Sequence, residues 1–472
     1  MIEKKKIALV MPYCSSKKIR RWSKKKVAKS KDFECYPPLG LMYLAASINQ
    51  LENYEVKIFD ANANRWYSKE LKERINKECP AIVGITVTSF ALNETYNIIK
   101  ELTLLDPKPL IIVGGPHITK CPEAVDYLGA DYGFIGDSEF SLCDFLRAYP
   151  DKTNLEKTPG LLYKRDGKIV HNSRLCDDDV ATIPIPARAH IDPNRYYFSI
   201  FSGKFTLLLA ARGCPFDCIY CGVPHKREYR CRKIADILEE ISDIKRQGYK
   251  YINICDDIFT LKRDRTIELC NAIIKNKIDI KWGCATRADT LDSELLKLMK
   301  QAGCIDVRLG IESGSEKIRK EILNKRISDQ SIIDAVRNIK KVKMIAVGFF
   351  LIGVPGETKR DIESTIRFAC MLPLDYVSFN LTVPLPGSKL HEIALMEKKL
   401  HKDVWKEIAL GIAQPPIYVP DGLEIKYLEK MVKKALRTFY LRPTYLISQL
   451  LQVRSIKDLW HRLTIATTIF NS

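Results

Sequence analysis

Residues 211–222 read Ala-Arg-Gly-Cys-Pro-Phe-Asp-Cys-Ile-Tyr-Cys-Gly, which places Cys214, Cys218 and Cys221 in a C-x3-C-x2-C array with Tyr220 just before the last thiol. Three thiolates on one short loop can ligate three irons of a 4Fe-4S cluster and leave the fourth iron open. A closed structural metal site would instead require a fourth ligand nearby. The array therefore indicates a cluster whose open iron binds a molecule that takes part in the chemistry.

Two plainer interpretations of the cysteines are a zinc knuckle and three unrelated core thiols, because free cysteine is often buried. Zinc sites usually show two C-x2-C arms, and this loop has no second arm. Cys231 follows further along the chain, but its polar surroundings predict the beginning of a helix rather than a fourth ligand. The cluster is the favoured interpretation.

The array resembles the signature of the radical S-adenosylmethionine (SAM) superfamily. The resemblance implies that SAM binds the open iron through its amino and carboxylate groups. An electron from the cluster would then cleave SAM to methionine and a 5'-deoxyadenosyl radical, which abstracts hydrogen from an unactivated carbon. In such enzymes the cofactor supplies the difficult chemistry, while the protein positions it and excludes water.

Further motifs follow the cysteines at the ends of apolar runs that are typical of strands. By resemblance, either Asp256 or Asp257 takes the SAM ammonium. Glu312 and Ser313 match the ribose and carboxylate contacts of the superfamily, and the backbone around Gly353 matches the segment that lines the adenine. Each motif is weak alone, but their order and spacing after the cysteines support the assignment.

Two more residues belong to the predicted SAM site. Tyr220 is the aromatic residue of the cysteine signature. Arg287 follows another strand and has two interpretations, a contact with the SAM carboxylate or the substrate, and a structural ion pair. The sequence identifies no catalytic residue.

The first 150 residues alternate apolar and amphipathic runs at the rhythm of βαβ units. The predicted strands cover residues 6–12, 54–60, 81–88, 109–115 and 131–135, with helices at 39–51 and 91–105. This pattern predicts a doubly wound, flavodoxin-like parallel sheet that binds its ligand at the carboxyl ends of the strands. Small or polar residues stand at those ends, among them Thr88, Ser89, Gly114 and Gly115.

Such a domain ahead of a radical SAM core resembles the cobalamin-binding domain of cobalamin-dependent radical SAM enzymes. Gly114 and Gly115 match that family's Gly-Gly, which lets the backbone approach the nucleotide tail or corrin edge, and Thr88-Ser89 match its small hydroxyl motif. The Asp-x-His-x-x-Gly signature that ligates cobalt is missing, since residues 60–64 contain no histidine. The resemblance implies cobalamin without a protein imidazole below it, and His117 is the nearest alternative. A scaffold domain without cobalamin is the other interpretation.

The chain divides into four predicted segments: a cobalamin-binding-like α/β domain at 1–150, a linker with a hairpin at 151–195, a partial (β/α)6 radical SAM barrel at 196–400, and a helical extension at 401–472. Helical runs at 428–441 and 442–451 resemble tails in the branch of anaerobic porphyrin cyclases and hopanoid- or lipid-modifying enzymes. Basic and apolar residues interleave in this extension. It therefore either rests on an anionic membrane surface, covers a lipid-like or tetrapyrrole substrate, or packs on the barrel as an ordinary cap.

The composition is consistent with a cytoplasmic, oxygen-sensitive enzyme. Fifteen cysteines without paired spacing argue against a disulfide framework, and the sequence shows neither a secretory pattern nor a membrane-spanning run. An excess of 76 basic over 57 acidic residues gives a net charge of +19, with a basic cluster at 17–26. This charge suits an anionic substrate, nucleic acid, or an acidic flavodoxin or ferredoxin-type electron donor, although much of it is expected on solvated helix faces.

Three functional hypotheses remain open. The first is a cobalamin-dependent radical SAM methyltransferase, in which one SAM methylates cobalamin and a second gives the radical. The second uses both cofactors for an oxidative cyclisation or another oxidation. The third is a methylthiotransferase acting on tRNA, but those enzymes carry further N-terminal cysteines in a motif and an RNA-binding β-barrel. The helical tail and the absence of a base-stacking strand motif argue against nucleic acid as a partner.

Overall fold

In the computed structural model, apolar strands and amphipathic helices form two α/β domains, each built on a sheet of mainly parallel strands. The structure describes residues 4–14, 34–149, 155–173, 180–198, 200–222, 229–443 and 445–447. The first sheet contains five parallel strands in the order β2-β1-β3-β4-β5. Their bounds are β1 Lys5–Met11, β2 Tyr54–Asp60, β3 Ile82–Thr86, β4 Leu110–Gly114 and β5 Tyr132–Phe134. This order is the predicted flavodoxin-like one.

Helices cover both faces of this sheet, as its apolar strands require. They are α1 Leu39–Ile48, α2 Ala61–Asn64, α3 Ser68–Asn76, α4 Leu92–Leu102, α5 Pro116–Lys120, α6 Ala124–Leu128 and α7 Glu139–Ala148. Several predicted strands are one or two residues too long, because the apolar run continues into the turn. Val87, for example, is buried beyond β3, and its N–H donates to the carbonyl of Gly114.

The predicted linker hairpin is part of the first sheet. Strands β6 Leu161–Arg165 and β7 Lys168–His171 form an antiparallel pair, and β6 pairs with the edge strand β5. The hairpin therefore extends the sheet to seven strands and covers an edge that would otherwise present unpaired backbone groups. Sequence spacing gives no indication of this pairing, because it is a contact between separate segments.

The second sheet is the partial barrel, with six parallel strands in the order β15-β14-β13-β12-β11-β8. The strands are β8 Phe205–Leu208, β11 Tyr251–Ile254, β12 Lys281–Thr286, β13 Cys304–Glu312, β14 Ile345–Ile352 and β15 Tyr376–Leu381. Helices on its outer side are α8 Ile234–Arg246, α9 Arg263–Lys275, α10 Ser293–Gln301, α11 Asp329–Lys341 and α12 Lys359–Met371. The fold confirms the predicted radical SAM barrel.

Strand β13 shows how the barrel separates its two faces. Val307, Leu309 and Ile311 belong to the core between the sheet and the helices. The alternating residues, which include Arg308 and Glu312, therefore face the inside of the barrel, because successive side chains in a strand point to opposite faces. The apolar side of the strand thus fixes it in place while its polar side remains available for function.

A short two-stranded sheet joins the barrel to the cysteine loop. Strand β9, Ala211–Arg212, pairs with β10, Arg230–Cys231, directly before the cysteine loop. Cys231 was expected at the polar beginning of a helix, but it lies in β10, and α8 begins three residues later at Ile234. Cys231 is part of a strand because its backbone pairs antiparallel with that of Ala211 in β9.

One hydrophobic cluster contains residues of both domains. It joins residues of the first domain, such as Val113 and Ile118, to Ile219, Leu323 and Val354 of the second. A separate aromatic cluster packs Tyr196 and Phe198 against Phe205 and Tyr251 of barrel strands β8 and β11. The site elements of both domains are therefore held by continuous packing rather than by a flexible linker.

The described part of the C-terminal extension is helical as predicted, with α14 Val404–Ala409 and α15 Ile425–Tyr440, and α13 Lys389–Met396 precedes it. The apolar side chains of α15, including Leu428, Met431, Ala435 and Phe439, are buried in the barrel core. For this helix the structure therefore shows packing as a cap on the barrel. Half of the predicted helix at 442–451 and the whole basic cluster at 17–26 lie outside the described residues. No described helix is both long and apolar enough to cross a membrane.

Candidate active site

The cysteine loop leaves β9 at Gly213, whose φ of 92° requires glycine, and carries one buried and two half-buried thiols. Neighbouring segments hold its backbone. The N–H of Ile219 donates to the carbonyl of Leu323 at 3.2 Å, and the N–H of Leu390 donates to the carbonyl of Ile219 at 2.8 Å. Asn324 Nδ2 donates to the carbonyl of Asp217 at 3.2 Å. The loop is thus fixed before any cofactor binds.

Burial raises the pKa of the Cys214 thiol, so that iron must displace its proton. Across the described residues, no three His, Cys, Asp or Glu side chains are grouped to hold a single metal ion. The three cysteines of a 4Fe-4S site each bind a different iron, so they need not converge on one point. Spacing, burial and a fixed backbone together fit such a cluster.

Tyr220 and Glu312 meet beside the cysteine loop, as parts of a buried group that also contains Lys325. The Tyr220 hydroxyl donates to Glu312 Oε1 at 2.8 Å. Lys325 Nζ donates to the same oxygen at 2.7 Å and to the Tyr220 hydroxyl at 3.1 Å. Burial, followed by the nearby Glu312 carboxylate, raises the pKa of Tyr220 well above its usual value. This group places a carboxylate and a lysine at the carboxyl end of β13.

The backbone at the end of β13 is shaped for this group. Glu312 has a φ of 70°, and the register with β14 shifts between Gly310 and Glu312. A side chain at position 310 would lie 2.5 Å from Glu312 Oε1 and 2.7 Å from Lys325 Nζ. Gly310 therefore leaves the space that the buried pair occupies. A left-handed Glu is uncommon and often marks a functional position.

Ser313 lies next to Glu312 and is fully buried, but it faces helix α12. Its hydroxyl is 3.3 Å from Thr365 Oγ1 and accepts from the N–H of Ser315 at 3.1 Å. Gly314 packs against the backbone of α12, where an added Cβ would lie 2.6 Å from Thr365 Cα. In this structure, Ser313 fixes the turn after β13.

The predicted alternatives Asp256 and Asp257 have different surroundings. Asp256 is buried, and its Oδ1 accepts from the N–H of Ala210 at 2.7 Å. Burial raises the pKa of Asp256 to about 7. Asp257 is exposed at the end of β11. Of the two carboxylates, Asp257 is the one accessible to an incoming ligand, while Asp256 ties β11 to the segment before the cysteine loop.

Arg287 forms the ion pair that was one of its two predicted interpretations. Its guanidinium donates to both carboxylate oxygens of Asp289, at 3.0 and 2.8 Å, and to the carbonyl of Lys325 at 2.8 Å. It also lies over the ring of Phe216, 3.8 Å from the centroid. Arg287 therefore links the cysteine loop to the segment that carries Lys325.

Gly353 begins the turn after β14 with a φ of 86°. Its N–H donates to Glu357 Oε2 at 2.6 Å, and the N–H of Val354 donates to the same oxygen at 3.2 Å. Burial nevertheless raises the pKa of Glu357 to about 7. The internal carboxylate fixes the turn and keeps its backbone at the carboxyl end of the barrel.

The first domain contains a cavity of about 330 Å³ at the carboxyl edge of its sheet, where a ligand was predicted. Gly115 has a φ of 98°, and an added Cβ there would lie 2.8 Å from Thr86 Oγ1. The turn after β4 thus provides a smooth backbone surface that suits the nucleotide tail of cobalamin. Residues along the cavity include Leu9, Leu39, Tyr43, Thr86, Gly114, Gly115, Glu139 and Arg212.

Thr88 and Ser89 are not among the lining residues of this cavity. Ser89 Oγ instead lies 2.9 Å from His117 Nδ1, and the other ring nitrogen of His117 is 3.1 Å from the Tyr127 hydroxyl. His117 is buried, and burial lowers its pKa to about 4. With both nitrogens engaged, His117 is not placed to ligate cobalt. This fits the absence of a histidine at residues 60–64.

Arg212 joins the cavity to the cysteine loop. It precedes Gly213, and its guanidinium lies 2.6 Å from Glu139 Oε1 and 3.1 Å from Asp137 Oδ2, two carboxylates at the end of the first sheet. Arg230 from β10 approaches Asp137 at 2.8 Å. Both arginines are mostly buried. The predicted sites of the two domains thus share one ion-pair cluster.

Two family models match the two domains. One, described as the radical SAM superfamily, covers residues 208–369, and the other, described as a B12 binding domain, covers residues 26–146. An uncharacterised methyltransferase of Pyrococcus horikoshii is 32% identical over 422 residues, which span 88% of this chain and 90% of that protein. The chain belongs to the cobalamin-dependent radical SAM enzymes. Its cofactors are a 4Fe-4S cluster, SAM and cobalamin.

Two further proteins resemble this radical SAM enzyme, a cyclase and a methyltransferase. The anaerobic magnesium-protoporphyrin IX monomethyl ester cyclase of Cereibacter sphaeroides is 25% identical, over 76% of this chain and 60% of that protein. The solved structure of the radical SAM methyltransferase TsrM from Kitasatospora setae has a TM-score of 0.72 at 16% identity, covering 93% of this chain and 90% of that one. At that identity, the likeness shows a shared fold.

Lys325 and Arg212 were missed by the sequence reasoning, although both are central to the site. Lys325 follows a π-helical turn at Ile318–Ile322, and nothing in its local sequence distinguishes it from other lysines. Arg212 stands directly before the cysteine motif, which was the available signal. Its buried acidic partners come from another domain and are visible only after folding.

Proposed function

We propose that this enzyme transfers a methyl group to an unactivated carbon of a small molecule. The observation that carries the proposal is the Arg212 cluster, which joins the cavity of the B12-binding domain to the loop that binds the iron-sulfur cluster. A methyl carrier and a radical generator must both reach one substrate, and this cluster fixes the two sites next to each other. The methyltransferase names of relatives support the same reaction.

The residues of the site have distinct roles in this proposal. When bound, the cluster and SAM supply a 5'-deoxyadenosyl radical, and cobalamin carries the methyl group. Cys214, Cys218 and Cys221 hold the cluster. The buried group of Tyr220, Glu312 and Lys325 orients the SAM ribose and carboxylate, and Asp257 takes the SAM ammonium.

The backbone of two turns provides further contacts for the cofactors. The turn at Gly353, held by the Glu357 carboxylate, lines the adenine. The turn at Gly114 and Gly115 admits the nucleotide tail of cobalamin, because Gly115 has no side chain to contact Thr86. Ser313 and Arg287 act as positioning residues, since their polar atoms are bonded to α12 and to Asp289.

An oxidative cyclase is the second candidate function, and the Cereibacter relative is the observation that favours it. Both reactions use the same two cofactor sites, so they differ in whether the methyl group of SAM appears in the product. A reductant is required in either case. An acidic flavodoxin or ferredoxin-type donor suits the net charge of +19.

The test uses full-length protein purified without oxygen, reconstituted with iron and sulfide, supplied with hydroxocobalamin and desalted. Corrin bands retained beside the broad iron-sulfur absorbance are expected. The loaded enzyme is then given a reductant, methyl-labelled SAM and an extract of small molecules. Label in a new carbon-methylated product, together with 5'-deoxyadenosine, supports the methyltransferase. Product formation without label would instead establish the cyclase.

Matched cysteine variants control this experiment. Cys214→Ala should abolish both the cluster absorbance and the release of 5'-deoxyadenosine, because the cluster loses one of its three thiolates. Cys79→Ala removes an exposed thiol outside the loop and should change neither. Normal iron content and turnover in Cys214→Ala would overturn the assignment of the cluster.

A further inference from the structure

The inner face of the barrel carries a polar group deeper than the proposed SAM contacts. Arg308 precedes Glu312 on the inward side of β13, roughly 13 Å along the strand. Asp306 lies one inward position deeper, and its row continues through Gly283 to Asn253 on β11. These three polar residues therefore stand on the floor of the barrel, below the carboxyl end where the cofactors bind.

Hydrogen bonding on this floor is incomplete. The Arg308 side chain is 8% exposed, and its Nε and Nη2 atoms have no hydrogen-bond partner among the described residues. Its Nε lies 3.2 Å from Asp306 Oδ1, an ion pair without hydrogen-bond geometry, and that oxygen also has no hydrogen-bond partner in the described part of the chain. Asn253 Oδ1 is a third buried atom of this kind. Buried polar atoms are normally satisfied, so this concentration of unpaired donors and acceptors points to a ligand.

A purely structural ion pair would be arranged differently. The second oxygen of Asp306 accepts from the Tyr251 hydroxyl at 2.6 Å, and the guanidinium approaches the carboxylate through Nε alone rather than through two parallel hydrogen bonds. The guanidinium lies 5.6 Å from the centroid of the Phe198 ring. Arg308 is thus held in position by one carboxylate and one ring while part of its donor edge remains unused.

The barrel interior is open above this group, toward the carboxyl end. At the level of the group itself, position 283 has no side chain, and the Asp306 carboxylate fills the place that a Cβ would take. On the neighbouring strands β14 and β15, inward side chains such as Phe349, Ser378 and Asn380 remain half-buried or exposed, whereas their outward neighbours Phe350 and Phe379 are buried. The interior directly above Arg308 on this side is therefore accessible from the carboxyl end of the barrel.

We propose that Arg308 binds an oxyanion of the substrate, a carboxylate or a phosphonate-type group, on the barrel floor. The unpaired oxygens of Asp306 and Asn253 accept from an O–H or N–H donor beside that oxyanion. Guanidinium presents planar donors that match such oxyanions. The enzyme therefore acts on an acidic small molecule whose reacting carbon points toward Glu312. This inference names the substrate class of the proposed function and rests on it in that respect.

The test measures binding of three probes by saturation-transfer NMR on the full-length, cluster-reconstituted enzyme with SAM. The probes are 3-phenyllactate, 2-phenylethylphosphonate and 3-phenyllactamide, which keeps the hydroxyl but has no charge. Binding of one or both acids, without binding of the amide, is expected. The two acids distinguish a carboxylate from a phosphonate site. Equal binding of the amide, or binding of no acid, would overturn the proposal.

Variants test whether the acids bind at Arg308 on the barrel floor. Arg308→Gln should lower the acid signal at least fivefold. Arg337→Gln removes the same charge from an exposed position on α11 and should leave the signal unchanged. Asn253→Asp keeps the side-chain size and places a carboxylate beside the bound oxyanion, so it should also abolish the signal. If Arg308→Gln does not retain the cluster, Asn253→Asp replaces it as the test variant. Acid binding at the wild-type level in whichever of the two variants is used would overturn the proposal.

The two proposals fail separately. Acid binding that depends on Arg308, without transfer of labelled methyl to carbon, would overturn the methyltransferase and leave the acidic substrate class standing. Methyl transfer without acid-selective binding would overturn the acidic substrate class and leave the methyltransferase standing. The binding measurement needs no turnover, which keeps its outcome independent of the reaction.

Discussion

At the scale of single residues, the site depends on charged groups that are buried together. Glu312 and Lys325 lie 2.7 Å apart, and their side chains are only 9% and 7% exposed. Removing one partner of a buried pair leaves an uncompensated charge, which typically costs about 3–5 kcal/mol. Such a pair is therefore sensitive to single substitutions that would be tolerated on the surface.

Replacing Lys325 with methionine should weaken SAM binding about tenfold, a change of about 1.4 kcal/mol, because Glu312 and Tyr220 lose the cation that orients them. The cluster should be retained, since no cysteine is touched. Isothermal titration of the reconstituted protein with SAM measures the affinity. Lys341→Met, an exposed position on α11, serves as the control. Unchanged SAM affinity in Lys325→Met would remove this residue from the SAM site.

Glu357 predicts a pH effect on stability. Burial raises its folded pKa from 4.5 to about 7, so its protonated form is favoured in the folded protein. The stability that it contributes is fully present below about pH 4.5 and is lost as the pH rises to about 7, by at most about 3 kcal/mol. Glu357→Gln should not show this loss. Thermal unfolding of both proteins between pH 5 and 8 measures the difference, and parallel profiles would contradict the assignment.

At the scale of elements, turns at the carboxyl ends of strands carry most of the site. A residue with positive φ stands at the end of three strands: Gly115 in the turn after β4, Glu312 as the last residue of β13, and Gly353 in the turn after β14. Packing of the strands and helices holds these conformations in place, because each is unfavourable for an isolated L-residue other than glycine. The strands determine where the turns lie, and the turns determine what can approach.

Gly115→Ala should impair cobalamin binding by the first domain. The substitution strains a backbone with a φ of 98° and brings a Cβ within 2.8 Å of Thr86 Oγ1 on the cavity wall. The corrin absorbance retained after desalting should fall at least fivefold, while iron content remains normal. Gly129→Ala has a similar φ of 76° with no atom within 4 Å of the added Cβ, and it controls for backbone strain alone. Equal loss in both variants would contradict a local effect on the cavity.

At the scale of the whole molecule, the two domains are coupled by a shared core and by the Arg212 cluster. Ile219 from the cysteine loop packs in the same hydrophobic core as strands of the first sheet. Arg212 is 10% exposed and pairs with Asp137 and Glu139. Relative domain motion is therefore restricted, and the cavity of the first domain keeps a defined distance from the cysteine loop.

Arg212→Gln should destabilise the protein by about 3 kcal/mol or more, because two mostly buried carboxylates lose a charged partner. The two domains should then unfold in separate steps rather than together. Differential scanning calorimetry of the apoprotein checks both effects. Arg147→Gln breaks an exposed pair with Asp144 and should change the stability by less than about 1 kcal/mol. A single unshifted transition in Arg212→Gln would contradict the coupling.

The sequence by itself determined the fold class, the cofactors and most of the elements. Periodicity of apolar residues is a local property, so the βαβ rhythm of the first 150 residues predicted the flavodoxin-like order. The barrel was predicted from the resemblance of the cysteine motif and the motifs after it to the radical SAM superfamily. The C-x3-C-x2-C spacing is local too, because all three thiols stand on one loop. For the same reason, Glu312 and Gly353 were placed correctly at the ends of their strands.

Only the tertiary structure decided which residues meet. The pairing of the hairpin with β5, the positions of Lys325 and Arg212 beside their carboxylates, and the exposure of Asp257 but not Asp256 all depend on segments far apart in the chain. It also showed that Ser89 contacts His117 rather than the cavity, and that α15 packs on the barrel. Burial and long-range contacts set charge, pKa and access, and a local sequence pattern contains no information about the partner segment.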